Sequence, residues 1–138
     1  MSIKRLPARH ESLQEFIAFI SECAEDKGLS DETAGRMELV LEEALVNIFN
    51  YAFPLGEGWV EVSCVDDGPG LLIEIRDNGI SFDPLSLPDP DLASDASDRM
   101  IGGLGVYFMR KMTERILYHR DGETNSLTLG FTDRGDSN

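Results

Sequence analysis

Basic residues are scarce in this chain: 12 lysines and arginines stand against 26 aspartates and glutamates in 138 residues, a formal net charge of −14. So acidic a surface repels a phosphate backbone over most approaches, which argues against direct nucleic-acid or anionic-membrane binding. Cysteine is nearly absent, with only Cys23 and Cys64. Neither belongs to a C-x-x-C pair, so zinc and dithiol redox work are not expected, and both read as reduced core positions. No segment approaches the roughly 20 apolar residues of a membrane span, and the N-terminus lacks the apolar run of a signal peptide. The expected address is the cytoplasm. The length is most simply that of one domain, residues 1–138, able to bury a core without disulfides.

What is present is organised around Glu38 to Phe53. Met37, Val40, Leu41, Ala44, Leu45, Ile48, Phe49 and Ala52 recur at three-and-four spacing, the stripe of a helix facing a core. Glu43, Asn47 and Asn50 fall four and then three residues apart, so they stack along a second line beside that stripe. A carboxylate and an amide oxygen one turn apart could hold a nucleophile and a metal. Helical glutamates are far more often solvated surface residues, so partners from elsewhere in the chain must carry the case.

Ile3 to Leu6 can form at most a short edge strand, because Pro7 removes a ladder donor. Ser12 three residues before Glu15 has the spacing of a capping box for a first helix through Leu13, Phe16, Ile17, Ile20 and Ala24, ended by Gly28. Ser30 or Asp31 caps the second helix, which Pro54 stops. Val60, Val62 and Cys64 alternate in a strand, and Leu71 to Asp77 returns with Ile73 and Ile75 on one face. Alternation puts Asp77 on that apolar face, where an unpaired charge is costly; the competing reading is that Asp77 merely starts the Asp-Asn-Gly turn.

Residues 80–101 have no period and read as a lid. Gly102, Gly103 and Gly105 then open a helix through Val106, Phe108, Met109 and Met112, an arrangement that offers N–H groups to an anion but is as often a plain turn. If the ligand is an anion, Arg99, Arg110 and Lys111 become candidates to offset the acidic field. Ile116–Arg120 and Leu127, Leu129 and Phe131 flank Asp121-Gly122 as a closing hairpin, with 132–138 expected to fray. The order suits an α+β sandwich with helices on one face of a mixed sheet.

Three stretches, E-A-L-V-N on the second helix, R-D-N-G-I-S-F-D-P after a strand and R-M-I-G-G-L-G-V-Y-F-M before a helix, together resemble the GHKL ATPases. Within that superfamily the chain is most similar to the small stand-alone anti-sigma serine/threonine kinases (RsbW- and SpoIIAB-like). The resemblance runs from about the first helix to Phe131 and implies the Bergerat-type sandwich with an ATP lid. It implies ATP and Mg²⁺ as cofactors, with Asn47 the metal ligand and Glu43 the general base. It implies Asp77 as acceptor for the adenine amino group and Gly79 and Phe82 beside the ring. Gly102, Gly103, Leu104, Gly105 and Val106 would serve the phosphates, with Arg99 a charge partner and Asn50 lining the metal side. Many relatives have histidine or lysine at Asn50, and the threonine usual near the adenine is replaced by Asn125 or Ser126, Ser126 being the site candidate.

The implied function is a kinase that phosphorylates a STAS-type anti-sigma antagonist and sequesters a sigma factor, with apolar residues of the first helix or near Ile3 available for a homodimer. Two alternatives are a non-catalytic nucleotide-gated binding module, which has no use for Glu43, and the ATPase part of a sensor histidine kinase. The latter expects a phosphoacceptor helix hairpin of about 60 residues ahead of the domain. Only His10 lies upstream, and it reads as a surface residue before a helix.

Overall fold

The computed structural model describes residues 1–86 and 105–134. Strand β1 (Ser2–Pro7) leads through a short 3₁₀ turn, His10–Ser12, into α1 (Leu13–Lys27) and α2 (Asp31–Tyr51). Strands β2 (Trp59–Asp67) and β3 (Gly70–Asp77) follow, then a 3₁₀ turn at Pro84–Ser86, helix α3 (Gly105–Met112), and β4 (Arg115–Asp121) and β5 (Thr124–Phe131).

The strand order is β1-β2-β3-β5-β4, and every neighbouring pair is antiparallel. This departs from the expected mixed sheet, for a topological reason. After β3 the chain crosses over through α3 and re-enters as β4 in the same direction as β3. The closing hairpin then seats β5 between the two, so β3 and β4, which run the same way, never touch. The α+β two-layer arrangement holds. Alternate residues of the central strands, Val60, Val62, Ile73, Ile75, Leu127 and Leu129, are nearly inaccessible, and the α2 stripe of Met37, Val40, Leu41, Ala44, Leu45 and Ile48 closes the same core. Removing that much apolar surface from water is the main force holding the layers together.

Helix ends agree with the sequence in two places and differ in one. Gly28 at φ 80° ends α1 with its N–H on the carbonyls of Ala24 and Glu25, a left-handed position that favours glycine. Ser30 caps α2, its side chain accepting from the Thr33 N–H. Ser12 forms no capping box: its hydroxyl donates to the Pro7 carbonyl at 2.7 Å, and the 3₁₀ turn before it already supplies the first helical geometry. Pro7 stands at the end of an edge strand, where a missing donor is tolerated.

The residues after β5, expected to fray, are tied down as far as Arg134. Asp133 accepts from the Ser30 N–H and the Thr33 hydroxyl, and these bonds hold its carboxyl below the usual range. Buried Arg36 donates to the carbonyls of Met112 and Thr132 and pairs with Glu114, stitching α2 to the ends of α3 and β5. Residues 135–138 lie outside the described residues. Cys23 and Cys64 are free thiols lining one cavity at the α1–β2 seam, and burial pushes both up. Among the described residues no helix is long and apolar enough to cross a membrane.

Candidate active site

The line of polar residues beside the α2 stripe meets other elements at both its ends. At the first, Asn47 Nδ2 donates to Glu43 Oε2 at 3.1 Å. That bond orients the amide with its oxygen turned away from the carboxylate. Asn47 is buried at 8 % exposure, while Glu43 is half-buried. The first residue of α3 stands directly against them: a Cβ on Gly105 would come within 2.8 Å of Glu43 Oε2 and 3.5 Å of Asn47 Nδ2. With no side chain at Gly105 the start of α3 approaches the pair without displacing the Glu43 carboxylate. Val106 is buried beside it.

Asn50, one turn further on, is exposed and accepts from His10 Nε2 at 3.1 Å, the imidazole resting edge-on against Phe49. His10 is therefore an exposed residue, as expected, but it is tied to this line and not merely solvated. Arg110 and Lys111 occupy the last turn of α3, remote from Gly105, where they favour the helix dipole. Arg99, Gly102, Gly103 and Leu104 lie outside the described residues, as does most of the expected lid.

At the other end, α2 stops at Tyr51 and the Ala52 carbonyl accepts from the Ile80 N–H at 2.9 Å. A Cβ on Gly79 would fall 2.3 Å from that carbonyl oxygen, so the glycine is required first by the backbone crossing the helix end. Asp77 beside it is 1 % exposed. Both readings of Asp77 hold together: Oδ1 accepts from the Gly79 N–H at 2.9 Å, the Asx turn, and from Asn125 Nδ2 at 2.8 Å, a partner within the core. Burial pushes its carboxyl up; the Asn125 and Gly79 bonds and the charge of Arg120 pull the other way. Oδ2 accepts from no described residue.

The register shows which final-strand residue shares the face of Asp77. Asp77 lies opposite Asn125, and Arg76 opposite Ser126. Successive residues of a strand face opposite sides, so Asn125 is on the core face with Asp77 and Ser126 is on the outer face. There Ser126 donates to Glu74 Oε2 at 2.6 Å. The structure thus corrects Ser126 as a site candidate. Of the two final-strand alternatives it is Asn125, reached by counting back by twos from Leu127, that shares the face of Asp77; Tyr118 and Arg120 were not singled out from the sequence. The Asn125 side chain also donates to the Ile80 carbonyl, and its oxygen accepts from the Phe82 N–H, the Tyr118 hydroxyl and Arg120 Nη1. Phe82 packs its ring 5.4 Å from that of Tyr51.

A cavity of about 330 Å³ bounded by Cys23, Cys64, Asp26, Lys27 and Asp66 lies away from all of these residues, and its lining includes none of the expected site. Among the described residues, groups of three or more His, Cys, Asp or Glu able to hold a metal ion are absent, so a cation here would rely on an amide oxygen and on ligand oxygens.

Residues 6–131 match the family model described as the histidine kinase-like ATPase domain. Over 132 residues the chain is 29 % identical to the serine-protein kinase RsbW of Listeria monocytogenes, covering 90 % of this chain and 83 % of that one. Its fold is similar to a chain in the crystal structure of the SiaB–SiaC complex from Pseudomonas aeruginosa, with a TM-score of 0.63, 14 % identity and coverage of 94 % and 88 %. It is also similar to the catalytic domain of histidine kinase ThkA, with a TM-score of 0.55, 14 % identity and coverage of 96 % and 97 %.

Proposed function

Because this chain belongs to the histidine kinase-like ATPase domain family, we propose that it binds Mg·ATP along α2 and transfers the γ-phosphate to a serine or threonine of a partner protein. The observation that carries the reading is the layout of one helix. Glu43 and Asn47, bonded to each other, stand at one point of α2, and Ala52, which receives Gly79 next to Asp77, stands at the other. Nine residues at 1.5 Å rise separate Glu43 from Ala52 by about 13 Å, a span suited to a nucleotide laid with its base at Asp77 and its phosphates at Gly105.

The residues present fit the two groups. Asp77 offers a buried acceptor to the amino group of adenine, and Gly79 and Phe82 border it. Asn47, with its amide nitrogen committed to Glu43, offers its oxygen to Mg²⁺, the kind of ligand that hard ion accepts beside water and phosphate. The bound ion would neutralise charge on the transferring phosphoryl group. Glu43 is placed to take the hydroxyl proton of the incoming serine or threonine as the new oxygen–phosphorus bond forms and ADP leaves. The N–H groups that open α3 at Gly105 and Val106, with Gly102, Gly103, Leu104 and Arg99 before them, serve the phosphates, and Asn50 borders the metal side.

The similarity to RsbW, named a serine-protein kinase, supports a protein acceptor. The acceptor in this reading is a STAS-type anti-sigma antagonist, and the unphosphorylated antagonist competes with a sigma factor for the same kinase. The exposed edge strand β1, with Ile3 outermost, is the surface for a second copy. The test is transfer of labelled γ-phosphate from ATP to candidate STAS proteins, expected with the wild type and lost in Glu43→Gln while nucleotide still binds. Transfer that survives the substitution rejects Glu43 as the base.

A further inference from the structure

Asn125 is 3 % exposed, and every polar position of its carboxamide is in use. The two amide hydrogens go to Asp77 Oδ1 and the Ile80 carbonyl, both at 2.8 Å. The amide oxygen receives the Phe82 N–H at 3.2 Å, Arg120 Nη1 at 3.2 Å and the Tyr118 hydroxyl. Rotating the amide by half a turn would set its oxygen against two acceptors and its nitrogen against three donors. The surrounding groups therefore admit one orientation.

That orientation governs Asp77. With Asn125 and the Gly79 N–H both donating to Oδ1, the carboxylate is held in one rotamer and its other oxygen remains an acceptor. A base edge meeting it is welcome if it donates, as the 6-amino group of adenine does. It is repelled if it presents a 6-oxo oxygen, as guanine and hypoxanthine do. Arg120 also donates to the Gly79 carbonyl at 2.9 Å, so the same network fixes the turn over which the ring would lie.

We propose that Asn125, oriented by Tyr118 and Arg120, is a positioning residue that sets the choice of 6-amino over 6-oxo purine by holding Asp77 as an acceptor. The inference rests on the nucleotide reading of this site and adds a determinant outside the residues that touch the base.

The test is calorimetric titration of the full chain with Mg·ATP and Mg·GTP. In Asn125→Asp the side chain keeps its size and its acceptor for Phe82, Arg120 and Tyr118 but opposes a carboxylate to Asp77. The ATP:GTP affinity ratio is expected to fall at least about tenfold, chiefly through lost ATP affinity, as when a hydrogen-bonding site loses its geometry. Tyr118→Phe, which removes one donor to the amide and leaves the fold's apolar contacts, is expected to lower the ratio by about threefold and decides the matter if Asn125→Asp does not fold. A ratio unchanged in the folded variants, whether overall affinity drops or not, overturns the proposal and leaves Asn125 a structural residue. A wild-type chain that binds neither nucleotide removes the parent reading instead, and with it this inference.

Discussion

At the Ala52 end of α2 the polar groups are buried and cross-bonded before any ligand arrives, whereas at the Glu43 end, among the described residues, a single hydrogen bond joins two side chains, one of them half-exposed. Asp77 is held by Asn125 and Gly79, and Asn125 by three donors and a second acceptor. Glu43 and Asn47 have each other and the glycine that opens α3. A rigid, satisfied network fixes geometry and gives selectivity. A carboxylate with a partly exposed position can receive a proton and release it. In the proposed reading recognition belongs to one end of the helix and chemistry to the other, and substitutions at the two ends should separate them.

The largest effect is expected at the chemical end. Glu43→Gln should lower the rate of phosphate transfer by about 10²- to 10⁴-fold, the usual contribution of a general base. ATP affinity, measured by calorimetry, should stay within about threefold, because an amide keeps the size and the bond to Asn47. A parallel loss of affinity would mean that the two ends are not separable.

At the recognition end the signs reverse. Asp77→Asn should weaken ATP binding by about 100-fold, since a charged acceptor worth about 1.5–3 kcal/mol is replaced by an amide. The fold should not suffer. Burial raises the Asp77 carboxyl above its ordinary value. Between the ordinary and the raised value the native state keeps a proton that the unfolded chain has released, so stability falls as pH rises through that window and the deficit persists above it. The asparagine carries no such deficit, and its Tm at neutral pH should equal or exceed that of the wild type. A lower Tm would show that Asp77 contributes to stability as an ion.

Gly79→Ala should cost stability where Asp77→Asn does not. The added Cβ meets backbone, the Ala52 carbonyl and Cβ, and neither can swing aside. Overpacking of this kind costs about 1–3 kcal/mol, readable as a shift in the urea midpoint. The matching change at the other end, Gly105→Ala, meets the movable tip of Glu43. It should leave the midpoint nearly unchanged and slow transfer.

How far these features could be read from sequence depends on the range of the interaction. The α2 stripe, the Gly28 stop and the Asp77 face are local periodicities, and each appears in the structure as expected. The all-antiparallel sheet was not readable, because it depends on where β5 inserts after a crossover, a choice that no local pattern records. Ser12 misled for a related reason. Its spacing to Glu15 suits a cap, but Pro7, brought back by the turn, offers a carbonyl to the same hydroxyl. Asn125 lay between these cases: the alternation was visible, but its value came from the cross-strand partner, Asp77, 48 residues away.

Ser126 supplies the smallest expected effect and the sharpest control on that register. It is buried at 7 % exposure, adjacent in sequence to Asn125, and a polar residue of the same strand, so composition alone cannot tell the two apart. Its hydroxyl donates to Glu74 across the β3–β5 ladder, on the face away from α2. Ser126→Ala removes one hydrogen bond to a half-buried carboxylate, a loss of about 1–2 kcal/mol in unfolding free energy. It touches neither Asp77 nor the Gly79 turn. ATP affinity should therefore remain within about twofold of the wild type, a change smaller than one ordinary hydrogen bond. A tenfold loss of ATP affinity in Ser126→Ala, with Asn125→Asp silent, would mean that the base lies on the outer face of the sheet. In that case the two ends of α2 could not share a nucleotide.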